Sequence, residues 1–152
     1  MSAEEICEVF AVLHDGSIVA YSGDRHLLRL TVSCKYLAER IDAAYEFFHL
    51  DLQDVAALQM EAWLADDVTE LRADWESIFA GEPEFATAEV AGDTVIIWCN
   101  QYAAGGCSYG GMLRLQCAAV AVHDQQLRHL SLYKLKELAA GYWQDWTRKN
   151  RP

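Results

Sequence analysis

With 152 residues, 53 % of them hydrophobic, the chain is long enough to bury a substantial core and too apolar to be disordered. Its formal charge of −11 repels phosphate backbones, which excludes nucleic acid as an expected partner. No stretch reaches the roughly eighteen consecutive apolar residues of a membrane span, and the acidic start Met1-Ser2-Ala3-Glu4-Glu5 does not read as a signal peptide.

The elements follow in chain order. Ile6 to Leu13 alternates apolar positions and reads as a strand, which the turn His14-Asp15-Gly16-Ser17 folds into a hairpin with Ile18–Tyr21. His26–Ser33 is a further strand with Leu28, Leu30 and Val32 inward. Tyr36–Ile41 is a helical turn or an irregular connection, and Tyr45–Leu52 is extended. Ala57–Trp63 directs Leu58, Met60 and Ala62 to one side. From Asp66 the apolar spacing becomes helical: Val68, Leu71, Trp75, Ile78 and Phe79 predict a central helix that Gly81 and Pro83 end. Phe85–Val90 and Thr94–Tyr102 are strands joined by the Ala91-Gly92-Asp93 turn. Met112–His123 is the longest extended segment, and Leu127–Leu130 a short one. Ser131 caps a closing helix in which Leu135, Leu138, Ala139, Tyr142, Trp143 and Trp146 keep helical spacing and should cover the pair Thr94–Tyr102 and Met112–His123.

The expected fold is α+β over a single domain, 1–152: a curved, mostly antiparallel β-sheet or two-layer β structure covered by a central and a C-terminal helix. A closed barrel with one helix across an opening is the alternative.

Motifs for chemistry are weak. The glycine-rich loop Gly105–Gly111 lacks the Gly-Lys-Ser/Thr ending of a phosphate-binding loop and reads as a hairpin connection. His14, His26, His49, His123 and His129 are scattered without HxH or HExxH spacing; His14 and His123 read as solvated turn residues, and no metal or cofactor is expected. The five cysteines form no CxxC pair and read as reduced, mostly buried thiols of a cytoplasmic protein. Cys34, Cys107 and Ser108 are the nucleophile candidates, and edge-of-core packing is the plainer role for Cys34.

The charge distribution says more. Twenty of the 23 acids lie in the first 93 positions, beside five Lys or Arg. Asp51, Asp54, Glu61, Asp66, Asp67, Glu70, Asp74 and Glu76, gathered on one face, would steer a basic protein toward the chain. The functional expectation is therefore a non-enzymatic acidic interaction module, such as an inhibitor or immunity-type protein. The alternative is a small-molecule binding protein or enzyme with a pocket between sheet and C-terminal helix, lined by Trp98, Tyr102, Tyr109 and Arg114. A homodimer joined at Trp143 and Trp146 is a third reading.

Overall fold

A computed structural model describes residues 1–100 and 108–152, and of residues 108 and 109 the backbone alone. The described elements are α1 (Ala3–Val12), β1 (Ser17–Gly23), β2 (Leu27–Ser33), α2 (Lys35–Ala38), β3 (Phe47–Gln53) and β4 (Ala57–Leu64). A 3-10 turn (Ala65–Asp67), β5 (Thr69–Arg72), α3 (Trp75–Ala80), β6 (Glu84–Ala91) and β7 (Thr94–Asn100) follow. The chain ends with β8 (Ser108–Gln116), β9 (Ala119–His123), β10 (His129–Leu130) and α4 (Leu132–Lys149).

These strands form one large antiparallel sheet flanked by helices, in the order β10–β9–β3–β2–β1–β6–β7–β8–β4–β5. The α+β expectation holds. The sheet curls because two strand pairs run on through a corner. The Ala56 N–H donates to the Gln116 carbonyl at 2.9 Å, and the Ala118 N–H to the Gln53 carbonyl at 2.8 Å. β3–β4 and β8–β9 thus behave as two long bent strands side by side, from His49 opposite His123 to Leu64 opposite Ser108. Since β2 flanks β3 and β7 flanks β8, the hydrogen-bonded circuit returns to its start where β1 meets β6. That last junction is short. It consists of Ser17 opposite Glu84, the Phe85 N–H on the Gly16 carbonyl (2.8 Å) and the Ile18 N–H on the Pro83 carbonyl (3.1 Å).

Alternation along each strand fills the inside of this curve. Buried rungs run Leu30–Leu50–Val122, Leu28–Leu52–Val120, Val95–Leu115–Leu58 and Ile97–Leu113–Met60. Beside them Gly111 lies between Ala62 and Cys99. A Cβ there would sit 2.3 Å from the Glu61 carbonyl oxygen, so the strands approach only because glycine occupies the position. Gly110 and Gly111 are therefore part of β8 rather than of a loop, and positions 105–107 of the glycine-rich stretch lie outside the described residues.

The structure corrects four expectations. Residues 6–12 are helical and Leu13 is the C-cap, because Ile6, Val9, Phe10 and Leu13 are buried at spacings of three and four. Ser2 and Glu5 form a reciprocal capping box, with the Glu5 N–H donating to Ser2 Oγ (3.1 Å) and the Ser2 N–H to Glu5 Oε2 (2.8 Å). β1 consequently makes its hairpin with β2. The central helix shrinks to α3. Asp66 and Asp67 adopt left-handed φ of 60° and 57°, the Leu64 N–H reaches the Val68 carbonyl at 2.7 Å, and the chain returns as β5. Asp74 then caps α3 by accepting from the Ser77 N–H at 2.9 Å, and Gly81 ends it as expected. Met112–His123 breaks at residues 117–118, where the corner carries it from β7 and β4 to β3 and β10.

The fourth correction concerns α4. α1 covers β6 and β7, and α4 packs chiefly on α1 and α2. Leu135 is its buried anchor, whereas Trp143 and Trp146 remain 39 % and 48 % exposed. His14, expected to be solvated, stacks on Trp143 with ring centroids 5.6 Å apart. The Ser131 hydroxyl caps the helix through the Lys134 N–H (3.1 Å), so Ser131→Ala should cost about 1 kcal/mol. A lowered urea midpoint with an unchanged slope would register that loss.

Candidate functional site

The acidic residues separate into two groups. Asp51 and Asp54 belong to β3 and the turn after it. Asp51 points outward, yet its side chain is only 10 % exposed, and Arg29 Nε and Nη2 donate to its two carboxylate oxygens at 2.6 Å each. Those hydrogen bonds hold its pKa below the ordinary carboxylate value. It is therefore engaged by a neighbouring strand and is not a free docking charge. Asp54 adopts a φ of 47° and faces His26 at 3.4 Å.

The other six are distributed along β4, the 3-10 turn, β5 and the start of α3, which packs on both strands, and Glu61 and Glu70 point to opposite faces of the β4–β5 pair. Glu61 is in β4, Asp66 and Asp67 in the 3-10 turn, Glu70 in β5, Asp74 at the α3 cap and Glu76 in its first turn. Arg72 is the single cation between residues 61 and 76, and its Nε donates to Glu70 at 2.9 Å. Val68, next to Asp67 in the chain, and Leu71, cross-strand partner of Glu61, are 52 % and 79 % exposed. β5 also ends the strand order, so among the described residues one side of its backbone carries no paired strand.

Two of the residues nominated for a pocket, Trp98 and Arg114, meet this same region. Leu71, Glu61, Met112 and Trp98 are cross-strand partners on one rung through β5, β4, β8 and β7. Trp63 packs on Trp98 with ring centroids 5.7 Å apart, and Arg114 occupies the next rung between Gln59 and Ile96. Trp98 lies between the buried Ile97 and Cys99, so it faces away from the side that α1 covers. A cavity shared with α4 is thus not what brings Trp98 and Arg114 together. Tyr109 lies in β8, and Tyr102 lies outside the described residues.

Sequence reading missed this convergence because it arises from register across four strands, and no local spacing signals it. It also missed Arg29–Asp51, as well as the alignment of His49, His123 and His129 on neighbouring strands. His123 is a strand residue rather than a turn residue.

Burial disfavours the thiolate at all four described cysteines, Cys7, Cys34, Cys99 and Cys117. Burial pushes Cys34 and Cys99 up to about 12 and Cys117 to about 11. Cys107 lies outside the described residues. Alkylation of the native protein at mildly alkaline pH should leave Cys34 and Cys99 unmodified, and denaturation should expose both; intact-mass and peptide mass spectrometry would read the difference. Rapid native labelling of Cys34 would contradict its assigned environment. No set of three or more metal-ligating side chains converges among the described residues. Among them, too, no helix is long and apolar enough to cross a membrane.

Comparison with protein-family models, with curated proteins and with solved structures found no match.

Proposed function

We propose that the chain is a non-enzymatic, cytoplasmic interaction module that binds a basic protein surface through β4, β5 and α3, as an inhibitor or immunity-type protein does. The observation that carries this reading is the exposure of Leu71, which shares its rung with Glu61, and of Val68, which follows the Asp66–Asp67 turn. Carboxylates accelerate encounter with a cationic partner and orient it, while affinity needs apolar area removed from water. Burying a leucine side chain supplies about 1.5–3 kcal/mol. The side of β5 that pairs with no strand among the described residues accepts an extended segment by strand addition, and the outward Trp98 and Met112 extend the contact across the rung.

The test is capture from native lysate on the immobilised chain, beside a variant carrying Asp66→Asn, Asp67→Asn, Glu70→Gln and Leu71→Ser. A basic protein retained by the native chain, released by salt and lost from the variant is the expected result. Equal retention by the variant would remove β5 from the interface.

A further inference from the structure

Three of the five histidines share one rung on the outer face of the sheet's other wing. His49 in β3 lies opposite His123 in β9, which lies opposite His129 in β10. Their surroundings differ. His49 Nδ1 is 3.2 Å from Thr31 Oγ1, so this ring is engaged by the neighbouring strand. His123 Nδ1 is buried and has no hydrogen-bond partner among the described residues; it faces Asp51 Oδ2 at 3.9 Å. The rings of His123 and His129 are 5.7 Å apart, centroid to centroid, and inclined by 76°. His129 is exposed, which opens the pair to solvent.

We propose that His123 and His129 form a two-imidazole site for a borderline divalent transition-metal ion of the zinc or nickel class, with Asp51 supporting His123. With each ligating nitrogen about 2.0–2.1 Å from a bound zinc, two imidazoles sharing one ion have centroids roughly 5–6.5 Å apart. The observed separation falls in that range. Imidazole nitrogen suits zinc, nickel and copper, whereas calcium and magnesium need oxygen ligands.

His123 Nδ1 faces the Asp51 carboxylate across 3.9 Å, too far for a hydrogen bond, and a small ring movement on metal binding would convert this contact into the N–H-to-carboxylate bond typical of a metal-bound histidine. Asp51 is fixed for this role by the two 2.6 Å hydrogen bonds from Arg29. The spacing of the two rings is set by their hairpin. Asp124 accepts from the Gln126 and Arg128 N–H groups at 2.9 and 3.0 Å and from Arg128 Nε at 2.9 Å, which pins the turn between β9 and β10. Two protein ligands leave the remaining coordination positions to water, so the ion exchanges freely and does not serve as a folding staple.

Calorimetric titration of the full chain with nickel or zinc chloride at neutral pH tests the site. One ion per chain is expected. His129→Ala and His123→Ala should each weaken binding by about tenfold or more, a loss of the size seen when metal-site partners are removed. His26→Ala, at an exposed histidine away from the rung, should leave it unchanged. Circular dichroism of the exposed His129→Ala variant confirms that folding is retained. Absence of binding up to millimolar metal, or affinity indifferent to both rung substitutions, would overturn the assignment. So would half an ion per chain, because that stoichiometry means bridging between two molecules.

Discussion

Replacing Phe10 by alanine should lower the unfolding free energy by about 3–5 kcal/mol, the cost of a large aromatic removed from a packed core. Phe10 is 1 % exposed and meets Phe85 edge to face, with ring centroids 5.2 Å apart at 87°. Its neighbours cannot readily collapse into the space. Phe85 is tied by its N–H to the Gly16 carbonyl at the short β1–β6 junction, and α1 is held at once by β6, β7 and α4. The vacancy would thus open where the hydrogen-bonded circuit is weakest. Urea denaturation of Phe10→Ala reads the loss, with the partly exposed Cys7→Ser as a control on the same helix. A change below about 1 kcal/mol would contradict the role of α1 as the cover of the curved sheet.

Removing the Arg29 guanidinium is the second large effect. It leaves the nearly buried Asp51 without the two hydrogen bonds that Arg29 donates, and Arg29→Ala should cost about 2 kcal/mol. About a third of the Arg29 side chain is exposed, and solvent screening keeps the figure below that of a fully buried pair. The loss depends on pH. Arg29 holds the folded pKa of Asp51 below its ordinary value of 3.8, so the stabilisation is fully present above that value and disappears as pH falls through the depressed one. The stability gap between native and Arg29→Ala protein should therefore narrow in acid. Burial and the nearby Arg29 charge also lower the pKa of His49 from 6.5, partly offset by Asp51. Its neutral form favours the folded state above pH 6.5, and this contribution is lost as pH falls through the lowered value. Denaturant midpoints measured from neutral to acid pH test both signs. A gap that widens in acid would reject the assigned pairing.

Much of the sheet was legible because one-sided burial imposes a period of two. Leu28, Leu30 and Val32, and again Leu58, Met60 and Ala62, are inward as alternation requires. Two periods coincide at the start of the chain. Cys7, Val9, Ala11 and Leu13 satisfy alternation, while Ile6, Val9, Phe10 and Leu13 satisfy a helix, and the Ser2–Glu5 cap decides between them. The apparent helical stripe after Asp66 failed for the opposite reason: Val68 and Leu71 have the right spacing but face solvent, and the left-handed Asp66 and Asp67 turn the chain before a helix can form. The corner at residues 117–118 has no strong local signature, since nothing in Gln116-Cys117-Ala118 signals a change of partner.

The candidate sites were legible only in part. Acid density marked β4, β5 and α3 from sequence, but that Asp51 is occupied by Arg29 follows from pairing between β2 and β3. The alignment of Glu61, Met112 and Trp98 on one rung, and of His49, His123 and His129 on another, is likewise a consequence of register between residues far apart in the chain.

The docking proposal is tested most directly by the association rate of the captured basic partner across a series of salt concentrations. Electrostatic steering by residues 61–76 predicts a rate that falls steeply as the Debye length shrinks, with a shallower slope for the Asp66→Asn, Asp67→Asn, Glu70→Gln variant. An association rate independent of salt, or an identical slope for the two proteins, would contradict it.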